Sequence, residues 1–221
     1  MLPLPSLTVQ ADRLIALGVH EAAGLSPAEL CATARAAGPR EGALLAVRPD
    51  LAPASRLTGL VEREGKRGFV VVDMTDVDGF TPIDQVALPD GPVHVVDAVE
   101  RGDEMAGWSP DEALPAITAR GRTPLTLTEG LHWLLQDPGA LERNHCFMTI
   151  GSRLRRPDGR LDARTPALWL SNGTGRDGRE RRGAPKVGWC WAGNRHTWLG
   201  FASAAGRSSL QTAGLAASAT G

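Results

Sequence analysis

The segment APKVGWCWAGNRHTWLG, residues 184–200, crowds three tryptophans, a histidine, a cysteine and a lysine into one short stretch. In an extended chain, side chains alternate between faces. Trp189 and Trp191 then share one face, with Gly188, Cys190 and Ala192 on the other. Gly193-Asn194 supplies the residues that a tight turn favours, so the pattern predicts a β-hairpin returning through His196 and Trp198. If the two aromatic faces meet, Trp189, Trp191 and Trp198 surround the His196 imidazole. An apolar pocket with a few convergent polar groups, here Lys186, Asn194 and His196, is the usual form of a small-molecule site. Among indoles the charged imidazolium is disfavoured, which makes His196 the candidate general base and Asn194 a candidate for orienting a ligand. The competing reading is structural. Burying an indole removes about 150–250 Å² from water, worth roughly 4–6 kcal/mol as an upper bound, so an aromatic core explains the same residues.

Other groupings do less. Gly173-Thr174-Gly175-Arg176-Asp177-Gly178 has the GxGxxG form after a candidate strand. It lacks a helix start and a downstream acidic residue for a ribose, so it reads as a surface loop. Asp76-Val77-Asp78-Gly79 resembles part of a calcium loop, yet the required first and last ligand positions hold Met74 and Gln85. His145, Cys146, Cys190 and His196 are zinc-ligand types, but adjacent strand residues point to opposite faces, and no metal site is assigned. There is no HExxH or GxSxG, and Gly65-Lys66-Arg67 lacks the rest of a phosphate loop. No cofactor is expected.

The elements that must position these residues follow from patterning. Leu7–Ala23 carries a helical apolar stripe ending at Gly24, and Ser26-Pro27-Ala28-Glu29 is a capping box that opens a second helix to Ala37. This predicts a helical hairpin over residues 7–40, packed outside a sheet. β-Branched runs at 43–47, 69–73 and 93–99 read as strands. Ser109-Pro110-Asp111-Glu112 and Thr126-Leu127-Thr128-Glu129 are two further capping boxes, each opening a helix. The last third, residues 145–207, predicts antiparallel strands at 145–150, 166–171, 186–192 and 196–202. The class is α+β, a single domain over residues 1–207 with a mixed or antiparallel sheet flanked by helices. The uncharged tail 208–221 reads as disordered.

Composition sets the outer limits. The chain has 221 residues, 42% hydrophobic and 22% charged, enough to bury a core without a metal or disulfide. Three cysteines without a CxxC suit reduced thiols, no signal peptide is expected from the start MLPLPSLTVQ, and no apolar run approaches a membrane span. A cytoplasmic location is expected. The net charge of −1 conceals an asymmetry: residues 1–150 hold 12 basic and 21 acidic side chains, residues 151–221 hold 12 and 4. Either the C-terminal part binds an anionic partner, or the two parts attract each other.

The string PKVGWCWAGN followed by HTWLG, with GRTPLTLTEG at 121–130, DAVERGDEMAGWSPDEALPAI at 97–117 and FMTIGSR at 147–153, resembles a bacterial family of uncharacterised proteins, domain of unknown function 5701. The resemblance is strong over about residues 90–207 and looser before them. It implies no activity, ligand or catalytic residue. In the family's usual form the LWLS and PKVGWCWAGN strands lie closer together and proline often replaces Arg195, which marks Arg176–Arg182 as a local insertion.

Three functions remain in view. The first is a small-molecule pocket using Lys186, Trp189, Trp191, Asn194, His196 and Trp198. The second is an arginine-rich binder of nucleic acid or an acidic protein, using Arg153, Arg155, Arg156, Arg160, Arg179, Arg181, Arg182 and Lys186. The third is a non-catalytic structural or interaction module.

Overall fold

The computed structural model describes residues 3–209. The first helical stripe breaks where Gly18 takes the left-handed conformation (φ 73°), giving α1 (Leu7–Ala16) and the single turn α2 (Val19–Ala22). Ser26, Ser109 and Thr126 each form the expected capping box, with Glu29, Glu112 and Glu129, at the starts of α3 (Pro27–Ala37), α5 (Pro110–Ala119) and α6 (Leu127–Gln136). Between α3 and α5 lies α4 (Ala54–Leu60). The α+β class holds, and among the described residues no helix is long and apolar enough to cross a membrane.

Two sheets carry the fold. One joins β1 (Leu44–Val47), β3 (Val93–Asp97) and β8 (Gly206–Ser208), antiparallel in the order β1–β3–β8. The other has the order β7–β4–β5–β6–β2, from β7 (Leu199–Phe201), β4 (Cys146–Met148), β5 (Arg164–Leu170), β6 (Pro185–Trp191) and β2 (Phe69–Val70). Its three central strands are antiparallel as expected. Both edge pairs, β7 with β4 and β2 with β6, are parallel. Ser208 therefore belongs to a sheet, Ser209 follows it outside any strand, and residues 210–221 of the expected disordered tail lie outside the described residues.

Helix α6 joins the two sheets, and all ten of its residues are buried. Gly130 lets it touch the five-stranded sheet: a Cβ there would stand 2.6 Å from Thr149 Cγ2 and 2.8 Å from Leu168 Cδ1. Trp133 stacks on Phe147 at 5.1 Å between centroids. Toward the other sheet, His132 Nε2 accepts the Val47 N–H at 3.1 Å while its Nδ1–H donates to the Thr128 carbonyl at 2.8 Å. That pattern needs a neutral ring, and burial pushes the His132 pKa down to about 4.

The capping carboxylate of α6 also anchors the end of the fold. Glu129 accepts Arg207 Nε at 2.5 Å and Nη2 at 2.6 Å, His94 Nε2–H at 3.0 Å and the Thr126 N–H at 2.8 Å. Burial alone would raise its pKa. The Arg207 guanidinium and His94 outweigh that and hold the carboxyl far below the usual carboxylate range.

The path between β6 and β7 corrects the sequence reading. The two strands are not neighbours, so the Trp189–Trp198 hairpin does not form. β6 pairs with β5 along its whole length and with β2 at Lys186 and Val187, and the chain beyond Trp191 leaves β6 to pair with β4. The strand expected at 196–202 shortens to 199–201 and docks on β4, where Gly200 meets the backbone of Arg101 and Gly102. Since β6 and β7 run in the same direction, residues 192–198 must return diagonally, about 16 Å back along the strands and about 14 Å across them.

Candidate functional site

That return path creates a cavity. Trp198, on the crossing segment, meets Trp169 of β5 edge-on, with centroids 6.0 Å apart and planes at 82°. His196 lies 5.4 Å from the Trp198 ring. The segment is held from outside: the His196 carbonyl accepts the Gly107 N–H at 2.9 Å, the Ala192 carbonyl accepts the Asp111 N–H at 3.1 Å, and Arg195 pairs with Glu112. Its far end is fixed where Cys146 N–H donates to the Trp198 carbonyl at 3.1 Å.

Beneath these rings is a space of about 560 Å³. Trp169, Trp189, Trp198, His196, Cys146 and Cys190 wall it, and Arg63, Arg143, Asn144, Asn172 and Arg182 stand around them. The volume falls in the range typical of small-molecule pockets. The Nε2 of His196 is buried and has no hydrogen-bond partner among the described residues, a group that calls for a partner from elsewhere. Burial lowers the His196 pKa, so the ring is neutral near pH 7, as expected from its indole surroundings. Burial pushes both Cys146 and Cys190 up to about 11, which leaves their thiols protonated and poor nucleophiles.

The candidate residues divide. His196, Trp189 and Trp198 line the cavity. Trp191 packs edge-on against Trp189 at 4.6 Å, as their shared face predicts, but it is 47% exposed and outside the cavity. Asn194 is exposed in the turn where its N–H meets the Trp191 carbonyl, and it does not line the cavity. Lys186 lies in an adjoining space of about 280 Å³ that shares Trp169, Asn172 and Trp189 with the larger one. There its ammonium pairs with Asp177 at 2.6 Å and covers the Trp169 ring at 5.0 Å.

Trp169 is the main residue that the sequence left unassigned. The strand containing it was expected, and its register opposite Lys186 aims it across Gly188, whose missing Cβ would stand 2.6 Å from the indole. Arg63, in a short strand paired with Lys66–Arg67, and Arg143 and Arg182, in loops, come from distant parts of the chain and carry no local signature.

The arginine-rich C-terminal part is largely matched within the chain. Arg155 pairs with Asp84, Arg164 with Asp76, Arg176 with Asp73 and Arg207 with Glu129, each a link to the acidic part. Arg156 and Arg160 pair locally with Asp162 and Asp158. Arg153 donates to the Asp162 carbonyl, and Arg181 lies over the Phe69 ring at 4.4 Å. Attraction between the two parts thus accounts for much of the charge asymmetry. Among the described residues no three His, Cys, Asp or Glu side chains gather as a metal set.

A family model described as "Family of unknown function (DUF5701)" matches residues 13–210. Comparison with curated proteins and with solved structures finds no match.

Proposed function

Because the chain belongs to the DUF5701 family, whose function is unknown, we propose a role from the site alone: the protein binds a small molecule in the cavity under Trp198. The observation that carries this reading is the 560 Å³ space walled by three indoles, with one buried imidazole nitrogen left without a partner. An interior plug of tryptophan looks different, and Trp133 is the example: it is 1% exposed and stacked on Phe147. The protonated thiols favour binding over nucleophilic catalysis, and a neutral His196 can donate or accept one hydrogen bond. Three free cysteines support a reducing, cytoplasmic setting.

The nucleic-acid reading has less support, since four of the eight basic side chains it relies on, Arg155, Arg156, Arg160 and Lys186, pair with carboxylates within the chain. Mass spectrometry of the purified protein, first native and then denatured, tests the binding reading. A metabolite released on unfolding is expected from the wild type and not from Trp198→Ala. His196→Ala should fold normally and lose ligand-induced thermal stabilisation. Equal stabilisation of all three proteins would overturn the proposal.

A further inference from the structure

Building on that pocket, we infer that its ligand is an aromatic oxyanion, a planar ring system carrying a carboxylate or a phosphate. Two observations fix the class. The first is the wall: Trp169 and Trp198 meet at nearly a right angle, and Trp189 completes a corner of indole surface. Such a corner accepts a flat ring by stacking or edge contact, or an organic cation by cation–π attraction.

The second observation decides between those guests. Three arginines, Arg63, Arg143 and Arg182, line the space, and among the described residues no aspartate or glutamate does. Arg63 also pairs with Glu64 at 2.7 Å. Arg143 and Arg182 are exposed at their loops and have no carboxylate partner among the described residues. A cation would meet this positive rim with nothing to neutralise it. An oxyanion would find planar forks suited to bidentate hydrogen bonding, in a half-enclosed site where such pairs are strengthened. The unpartnered Nε2 of His196 supplies one further polar contact on the same wall.

The adjoining smaller space makes the contrast sharper. It also holds cations, Arg176 and Lys186, but each is matched, by Asp73 and Asp177. The charge there is closed on itself. Of these two spaces the larger presents arginine without a carboxylate partner among the described residues, so the anionic group belongs beside Arg143 and Arg182 and the ring against the indoles.

Four probes of one shape test the assignment: 1-naphthyl phosphate, 1-naphthoate, 1-naphthol and (1-naphthylmethyl)trimethylammonium, each titrated calorimetrically into the full-length protein. Both anions should bind at least tenfold more tightly than naphthol, with the ammonium weakest, and the tighter anion identifies the oxyanion type. In the double variant Arg143→Gln/Arg182→Gln, both on exposed loops, the anions should fall to the affinity of naphthol while naphthol is unchanged. Naphthol binding as tightly as the anions would overturn the oxyanion and leave the pocket standing. A preference for the ammonium would do the same. No binding by any of the four would overturn both.

Discussion

Replacing Arg207 by methionine should expose how strongly the last strand is tied to the central helix. In the wild type the Arg207 guanidinium makes two short bonds to Glu129 and donates to Thr123 Oγ1 and the Pro124 carbonyl, both at 2.8 Å. Arg207 is 3% exposed and Glu129 1%, so solvent screens little of the pair. Methionine fills much of the same volume but leaves the carboxylate buried with only His94 and the Thr126 N–H. Removing one partner of such a pair costs about 3–5 kcal/mol, a large share of the roughly 5–15 kcal/mol that holds a typical domain. Urea unfolding followed by tryptophan fluorescence measures it. The double variant Glu129→Gln/Arg207→Met removes the stranded charge and should recover at least about 1 kcal/mol relative to the single one.

The pH dependence gives the sign. In the wild type the Glu129 carboxyl is depressed in the folded state, so its contribution is complete above the unfolded value of about 4.3. It is lost as pH falls further toward the folded value. Without Arg207, burial dominates and raises the folded value. The difference in stability between wild type and Arg207→Met should then narrow as pH falls from 7 to 4. A variant within about 1 kcal/mol of wild type, with a constant difference across that range, would refute the reasoning.

Three further outcomes are expected. His132, held neutral with its pKa near about 4 in the fold against about 6.5 unfolded, should contribute stability that is complete above pH 6.5. That contribution, up to about 3 kcal/mol, is lost as pH falls toward 4; His132→Asn should flatten the slope of unfolding free energy over that interval. Gly188→Ala places a methyl 2.6 Å from the Trp169 ring and 3.2 Å from Val71 Cγ1. It should cost about 1–3 kcal/mol in denaturant unfolding and weaken 1-naphthol binding as the indole is displaced. Gly130→Ala should also destabilise, by about 1–3 kcal/mol, because crowding against Thr149 and Leu168 exceeds the roughly 1 kcal/mol gained in helix propensity; a thermal melt above wild type would contradict it.

What the sequence could reveal depended on how local the signal was. The three capping boxes are four-residue patterns, and each starts a helix where Ser26, Ser109 and Thr126 predict. The pairing of β5 with β6 also lies near in sequence. Strand order is not local: Gly193-Asn194 has the composition of a hairpin turn, but the strand that follows it, β7, pairs with β4 and not with β6. The same distance hides the cavity. Its indoles come from positions 169, 189 and 198, and its cations from 63, 143 and 182, so only the compact string around Trp189 drew attention. Trp191 and Asn194 share that string and still face solvent, because neighbours in a twisted strand and turn need not share an environment.

The diagonal return from β6 to β7 bears on how the chain emerges from the ribosome. Strands β7 and β8 come from residues 199–208, after every strand they pair with. Until those residues leave the exit tunnel, β4 and β3 each present an open edge to other chains. The cavity therefore closes only after every strand that walls it has been made. Translation stalled just short of residue 199 would yield a sticky, unliganded intermediate.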